Sequence, residues 1–319
     1  MATALFRPGD RPLLHLALLL ATLGTTFATF RFSFGGGSVD SLAFSLSVVT
    51  ILGTHEMGHY VLARLHGVDT TLPYFIPLPL LGVGTLGAVI RVRSRIPDRR
   101  ALVDIGAAGP LAGLIVALPL LVWGLAHSTV VDAPSMPDVF PGDTSLWTLG
   151  REGAEWLRGR FSPLPEQAVT DPSGTVQFIF GDNLLMRGVQ RLVVGALPPG
   201  KDLLVHPVVV AAWFGMLITM LNLMPIGQLD GGHMSFAVFG RHARWVGRAA
   251  ALAMLFLTVF VTAGWIVWLV VTTRFIGFGH PEVTAPEEPL PRSRKVICAL
   301  CLLALIGCAM PVPLRQVFS

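Results

Sequence analysis

Six runs of mostly apolar residues divide this sequence, and each approaches the roughly 20 residues that an α-helix needs to cross a lipid bilayer. A backbone inside lipid finds no outside hydrogen-bond partner, so only helices and closed barrels cross it. The runs therefore predict an all-α polytopic membrane protein with about six transmembrane helices. We place these spans at 13–30, 42–64, 102–125, 206–224, 250–272 and 296–313.

The composition agrees with a membrane protein rather than with separate soluble domains. Hydrophobic residues make up 53% of the 319 residues and charged residues 13%, whereas ordinary soluble domains carry about 25% charged residues. The first apolar run follows Arg7 and Arg11 and so resembles a signal peptide, but it is long enough to span and no small-residue cleavage site follows it. We interpret it as a retained helix of a single membrane-embedded domain over residues 1–319.

The charges and the cysteines exclude two classes of protein. The formal net charge is only +4, and its 23 basic and 19 acidic residues form no basic block, so we expect no nucleic-acid partner. The three cysteines, Cys298, Cys301 and Cys308, all lie in the last apolar run, so a secreted disulfide framework is excluded. The C-x-x-C pair in that run is interpreted as small packing residues of a helix.

Two segments interrupt the pattern of spans. Residues 71–93 are apolar but rich in proline and glycine, which disfavours a straight helix, and 86–92 reads as a short strand. This segment is either a re-entrant loop or short β-hairpin near a polar site, or a loop lying on the membrane surface. The second segment, 128–204, is polar and predicts an inserted loop with a helix near 149–160.

The basic residues of the short loops predict the orientation. They cluster before the first span, between the second and third spans, and between the fourth and fifth, which places these regions and both termini on the cytoplasmic side. The 128–204 loop is then extracytoplasmic. Arg292, Arg294 and Lys295 disagree, because six spans place them outside. We expect a multi-pass protein of the cell (inner) membrane, in contact with membrane lipid.

The second span contains the sequence HEMGH. His55 and His59 are four residues apart, so they share one face of a helix, and Glu56 follows the first histidine. This H-E-x-x-H spacing is that of zinc hydrolases, in which two imidazoles bind the metal and the glutamate takes a proton from a water. Ionisable residues inside spans are rare and usually functional. The alternative is a buried hydrogen-bonded network without metal.

A zinc site of this kind needs a third protein ligand and an open position. Asp230 is the strongest candidate, because it follows an apolar helix interrupted by Pro225 and Gly227. The alternative for Asp230 is a turn at the membrane edge. Asp104 and His233 compete for the role, although Asp104 opens the third span and could merely complement the helix dipole there.

Together, the two motifs resemble the site-2 protease family of intramembrane metalloproteases. The family pattern N-x-x-P-x-P-x-x-D-G is matched by Asn222, Pro225, Asp230 and Gly231, while Gly227 stands in place of its second proline. The sequence GAAGPLAG at 106–113 is similar to a small-residue motif on the family's helix between the two ligand helices. Small residues there also permit close helix packing without any other role.

The resemblance implies one Zn2+ per chain, bound by His55, His59 and Asp230, with Glu56 as general base. It implies that Asn222 contacts the substrate backbone or the tetrahedral intermediate, and that the irregular segment forms a membrane-embedded hairpin near the catalytic centre. The expected function is hydrolysis of a peptide bond within or next to a transmembrane segment of another membrane protein. The oligomeric state is not predicted.

Two other functions remain open at this point. Intramembrane histidine and aspartate can line an ion path, so the chain could be a metal-binding transporter or channel. That function leaves Glu56 without a role, and the sequence shows no inverted repeat of the kind many transporters have. A catalytically silent relative that acts as a binding module is the second alternative.

Overall fold

The computed structural model describes residues 11–79, 82–132, 145–147, 150–151, 176–280, 283–285 and 289–318. It is mostly helical, with small two-stranded sheets, as the fold-class prediction required. A 3-10 turn spans Gly240–His242, and a π-helical segment spans Val271–Ile276. The elements are α1 (Pro12–Ser33), α2 (Ser38–Leu65), β1 (Tyr74–Pro77), β2 (Thr85–Val89), α3 (Arg99–Ala126), β3 (Thr129–Asp132), β4 (Val176–Phe180), α4 (Leu184–Val193), β5 (Lys201–Leu204), α5 (Pro207–Asn222), α6 (Asp230–Phe239), α7 (Ala243–Phe260), α8 (Trp265–Val270), α9 (Arg292–Cys308) and β6 (Leu314–Phe318).

Helices α2, α3 and α5 form the centre of the bundle. Small residues let them approach closely: a Cβ on Gly58 of α2 would lie 2.5 Å from the carbonyl oxygen of Ala108 on α3. On the other side of α3, the buried Leu121 and Leu125 pack in one cluster with Trp213 and Met216 of α5. The centre is therefore close-packed around α3, which has a proline in its middle.

The irregular segment after α2 is a β-hairpin inside the bundle. Strands β1 and β2 pair antiparallel, and the pairing continues to an isolated bridge between Thr70 and Val92. Thr25 of α1 donates a hydrogen bond to the carbonyl oxygen of Gly84 at 2.7 Å, and Phe75 packs with the buried cluster between α1 and α2. The short β-hairpin expected within 71–93 is confirmed, and the strand expected at 86–92 begins and ends slightly earlier, at Thr85–Val89.

The six-span count is not confirmed. Within the described residues, three stretches are long and apolar enough to cross a membrane: Pro12–Ser33, Arg99–Ala126 and Asp230–Phe260. The third stretch is not straight, because Gly240 has a positive φ of 55° and the chain reverses there. A Cβ on Gly247 of α7 would lie 3.2 Å from the carbonyl oxygen of Pro225, just before α6, so α7 runs back along α6.

The span expected at 250–272 is also different. α7 ends at Phe260, and after a short turn α8 runs in the opposite direction. At the turn, the indole N–H of Trp265 donates to the carbonyl oxygen of Pro311 at 2.8 Å. At the other end, a Cβ on Gly247 would lie 3.4 Å from the ring of Phe278. The segment 243–280 is therefore a helical hairpin, which the run of apolar residues alone does not reveal.

This hairpin changes the position of the C-terminus. Arg294, at the start of α9, donates to Asp104 at the start of α3, and Ala285 donates to the carbonyl oxygen of Pro97 at 2.8 Å. β6, after α9, pairs with β4 from the 128–204 segment. The start of α1 lies near the end of α2, since His15 donates to the carbonyl oxygen of Pro73 at 2.9 Å. The start of α1 and the C-terminal strand therefore lie at opposite ends of the bundle, which differs from the prediction that both termini lie on one side.

We call the end of the bundle with the starts of α3, α7 and α9 the basic end. It holds Arg99, Arg244 and Arg294, and thus the arginines that disagreed with six spans lie with the others. The opposite end carries the sheets β3–β5 and β4–β6 and the helix α4. About half of the 128–204 segment lies outside the described residues, and so does the helix expected near 149–160 except for residues 150–151.

Candidate active site

The HEMGH motif lies on α2 near the middle of the bundle. His55, Glu56 and His59 are all buried, with 3%, 7% and 7% of their surface exposed. The two histidines are one helical turn apart, and their Nε2 atoms lie 3.2 Å from each other. The helix therefore presents two imidazole nitrogens to the same point, as the spacing predicted.

Asp230 reaches this point from the break between α5 and α6. Gly227 has a φ of 51°, in the left-handed region, and Gly231 and Gly232 lie against the carbonyl groups of Leu223 and Gly227, where a Cβ would collide. Only glycine permits a loop this tight, and the loop places Asp230 in the first turn of α6. Asp230 Oδ2 lies 3.3 Å from the Nε2 of His59 and 3.6 Å from that of His55.

These three side chains fit a single zinc ion. Their ligand atoms all lie within 4.8 Å of one another. Around a tetrahedral ion with Zn–N and Zn–O bonds of about 2.0–2.1 Å, neighbouring ligand atoms are about 3.3 Å apart. The observed separations of 3.2, 3.3 and 3.6 Å agree with that spacing. A fourth position remains for water or substrate, which is the arrangement of catalytic rather than structural zinc sites.

The second ring nitrogen of His59 identifies its tautomer. Its Nδ1 lies 2.7 Å from the carbonyl oxygen of Ile105 on α3, and because a carbonyl only accepts, Nδ1 carries the proton. Nε2 then presents its lone pair to the metal position, as in most histidine ligands of zinc. Pro110, in the next turn of α3, has no N–H to donate to the carbonyl of Gly106. One backbone hydrogen bond of the helix is therefore missing next to this contact.

The small-residue motif on α3 forms the wall behind the ligands. A Cβ on Gly109 would collide with the His59 ring, and a Cβ on Gly113 would lie 3.3 Å from the Nδ1 of His55. A Cβ on Gly106 would lie 3.4 Å from the carbonyl oxygen of Asp230. The three glycines are spaced by three and four residues, so they share one helix face. This motif therefore shapes the metal site as well as allowing close packing.

Glu56 and Asn222 border the same position. The Glu56 carboxylate accepts a hydrogen bond from the backbone N–H of Ile90, the residue that follows β2. The amide of Asn222, at the end of α5, lies 3.1 Å from the Nε2 of His55. The structure thus brings together five sequence-predicted residues, His55, Glu56, His59, Asn222 and Asp230. Pro225 lies in the loop before α6, and Gly231 follows Asp230 in the first turn of that helix.

The two competing ligands lie elsewhere. Asp104 accepts hydrogen bonds from Arg294 at 2.8 and 3.0 Å and lies 3.0 Å from the Nε2 of His66. His233 points to His280, with 2.6 Å between Nδ1 and Nε2. Neither joins the group of ligand atoms formed by the other three residues. Sequence reasoning missed the contacts of Ile90 and Ile105, because both use backbone atoms that any residue supplies.

Two buried histidines and a partly buried aspartate, with a glutamate beside them and inside a bundle of apolar helices, define a membrane protein with a candidate zinc-hydrolase centre. Comparison with known families identifies it further. The profile of Peptidase family M50 matches residues 43–264, well over half of the chain and both halves of the site. The chain belongs to Peptidase family M50, and the resemblance to site-2 proteases is confirmed.

The chain is also similar to plant proteins. It is 29% identical over 277 residues to "Probable zinc metalloprotease EGY2, chloroplastic" of Arabidopsis thaliana, covering 86% of this chain and 42% of that protein. It is 28% identical over 280 residues to the protein of the same name from Oryza sativa subsp. indica (86% and 43%), and 27% identical over 283 residues to "Probable zinc metalloprotease EGY1, chloroplastic" of Arabidopsis thaliana (85% and 43%). No solved structure matches the chain.

The plant relatives differ from this chain in length, and their names give their location. The chain spans less than half the length of these relatives, so their whole-protein activity does not transfer directly. Their names place them in the chloroplast, so they do not support the expected cell inner membrane. The apolar helices and the family together support a membrane protein without identifying the membrane.

Proposed function

We propose that this chain is a zinc-dependent intramembrane endopeptidase that hydrolyses a peptide bond within or next to a transmembrane segment of another membrane protein. The observation that carries the proposal is the meeting of His55, His59 and Asp230 at one buried point, with Glu56 beside it. A structural zinc site would use a fourth protein ligand and would not need this glutamate. Binding of one Zn2+ per chain would offset the free energy that it costs to bury these polar groups.

Each residue has a distinct task in this reaction. Zinc, when bound, polarises the scissile carbonyl and makes the attacking water more acidic. The Glu56 carboxylate takes the proton of that water and returns it to the leaving amide nitrogen as the C–N bond breaks. The Ile90 N–H holds this carboxylate in place. Asn222 lies at the ligand position, where its amide can donate to the substrate carbonyl as negative charge develops.

The hairpin supplies a place for the substrate backbone. A peptide bond in a helix is shielded from attack, so the substrate must be extended near the cut. In the described part of the chain, β2 pairs only with β1, and Leu86 keeps 65% of its surface exposed. An extended segment can pair with the other edge of such a strand. The residue after β2 contacts Glu56, so this pairing delivers the scissile bond to the site.

The experiment that tests the function combines metal analysis with cleavage of a model transmembrane substrate. Wild type should contain about one zinc per chain and cleave. Glu56→Gln should keep the zinc and lose at least about 100-fold in rate, because general-base catalysis contributes about 10²–10⁴-fold. Asn222→Ala should also keep zinc and cleave more slowly. Asp40→Asn, an acid-to-amide change near the start of the same helix, is the matched control and should cleave normally.

The same Glu56→Gln protein tests the substrate position. Single cysteines are placed in turn along the substrate and tested for disulfides with the variant Leu86→Cys. Near the cut site, crosslinks should form at every second substrate position, as the period of a strand requires. Crosslinks at a helical spacing would contradict the pairing with β2. Zinc binding without any Glu56-dependent cleavage would favour a transporter or a binding module. A purified protein that contains no zinc would indicate that the polar residues form a structural hydrogen-bonded network without a metal.

The orientation is part of the proposal. The basic end should face the cytoplasm, because positive residues of short loops stay on that side. The N-terminus would then be cytoplasmic, and the C-terminal strand would lie outside with the 128–204 loop. Cysteine labelling at the two ends of the chain tests this arrangement, and labelling of both from the same side would contradict it.

A further inference from the structure

A cavity of about 170 Å³ lies at the basic end, directly behind the loop that carries Asp230. One wall is the α5–α6 loop, a second is the turn at Gly240 with the start of α7, and a third is the segment after the π-helical turn. It is separate from the metal site, since none of the three proposed ligands lines it. Its lining residues include Pro225, Gly227, Gly232, Phe236, Arg241 and Arg244.

The charge of this cavity is positive. Arg241 and Arg244 line it from the side of α7, and His280 lines it from the opposite side. Within the described residues its lining contains no carboxylate. The ion pairs described at this end use other arginines, Arg294 with Asp104 and Arg64 with Asp69. Two guanidinium groups beside one small cavity favour an anion with several acceptor oxygens, which guanidinium forks bind well.

The surroundings place this cavity at the membrane surface. Trp245 follows Arg244 on α7 and keeps 55% of its surface exposed, and the guanidinium of Arg248 lies 4.5 Å from the centre of its ring. Exposed tryptophans with arginines at the end of an apolar helix mark the depth of lipid headgroups. Anionic headgroups attract basic clusters at that depth.

We propose that this cavity binds the phosphate group of an anionic lipid headgroup through Arg241 and Arg244. A free phosphate has the same chemistry, but the cavity opens where headgroup phosphates are concentrated. The site also contacts the structure around the metal position. His280 pairs with His233, which lies in the first turn of α6 beside Gly106 and three residues after Asp230. A bound headgroup would therefore brace the loop that carries the third ligand.

Lipid retention tests this proposal directly and does not depend on proteolysis. The full chain in mild detergent is incubated with phosphatidylglycerol or phosphatidylcholine, and bound lipid is counted by native mass spectrometry. Wild type should retain phosphatidylglycerol, and the double variant Arg241→Gln/Arg244→Gln should retain at least fivefold less. Arg248→Gln removes one arginine of the same helix that does not line the cavity, and it should behave as wild type.

The arms of the experiment separate the rival occupants. Displacement of the lipid by millimolar inorganic phosphate would make free phosphate the ligand and overturn the lipid source. Equal losses in Arg248→Gln and the double variant would show a diffuse basic surface instead of a site. Wild type that retains neither lipid nor phosphate would overturn the proposal.

Discussion

Two clusters of histidine and aspartate lie within this helical bundle, and they differ in what faces the carboxylate. At the basic end, Asp104 accepts two hydrogen bonds from the guanidinium of Arg294, at 2.8 and 3.0 Å, and lies 3.0 Å from His66. In the centre, Asp230 Oδ2 faces the two imidazole nitrogens of α2, at 3.3 and 3.6 Å.

The difference indicates which of the two aspartates could bind a metal cation. A guanidinium is always charged and here occupies both carboxylate oxygens, so Asp104 is already neutralised and has little attraction left for a metal cation. The central cluster offers lone pairs without any fixed positive charge. Asp104 therefore ties α9 to α3, whereas Asp230 is available for zinc. Each aspartate has a histidine nearby, so that feature does not distinguish the two clusters. They differ because α9 supplies Arg294 to Asp104.

The largest effect is expected when the central carboxylate is removed. Asp230→Ala should weaken zinc binding more than about 100-fold, because losing even an outer partner of a ligand costs about 10- to 100-fold. Zinc affinity measured by competition with a chelator checks this. Gln228→Ala is the matched control, since Gln228 is exposed and lies two residues before Asp230. An Asp230→Ala protein with wild-type zinc affinity would remove Asp230 from the site.

The histidine pair and the third ligand differ in how far sequence could predict them. His55 and His59 lie in one helix, so their spacing alone placed them on a common face. Asp230 lies 171 residues after His59 in the sequence. The sequence alone therefore left Asp104 and His233 as alternative candidates for the third ligand. The partner that occupies Asp104 is Arg294, 190 residues away, and no local pattern shows that pairing.

The path of the chain was predicted less completely than the site. The hairpin and the apolar helices follow from local residue types, but the reversals do not. A run such as 250–272 is apolar throughout, so hydropathy does not show that α7 ends at Phe260 and α8 returns. Because of that missed reversal, the predicted position of the C-terminus differs from the end of the bundle where β6 lies. Arg292, Arg294 and Lys295 indicated the discrepancy, because six spans place these basic residues on the outer side, against the positive-inside rule.

An intermediate effect is expected from the wall of α3. Gly109→Ala places a methyl group where the His59 ring lies, so the ring must move away from its bond to the Ile105 carbonyl. We expect zinc affinity to fall about 10- to 100-fold, as for the loss of an outer partner. Gly24→Ala on α1 is the control, since its Cβ would meet nothing within 4 Å. Equal zinc affinities in the two variants would show that α3 does not shape the site.

The smallest effect on the metal site is expected at the other cluster. Asp104→Asn keeps the shape of the side chain but leaves Arg294 without its carboxylate. We expect the free energy of unfolding to fall by about 2 kcal/mol. This loss is smaller than for a fully buried pair, because the Arg294 side chain keeps 22% of its surface exposed. Thermal unfolding in detergent measures this loss, and chelator competition on the same sample should show unchanged zinc affinity.

The contrast between the two clusters rests on that pair of measurements. If Asp104→Asn lost zinc as readily as Asp230→Ala, the cluster at the basic end would take part in the metal site, and the arginine would not be the feature that separates them. If it lost stability alone, the guanidinium would account for the difference. An arginine paired with an aspartate of a neighbouring helix would then indicate, in this chain, a structural tie between helices rather than a ligand.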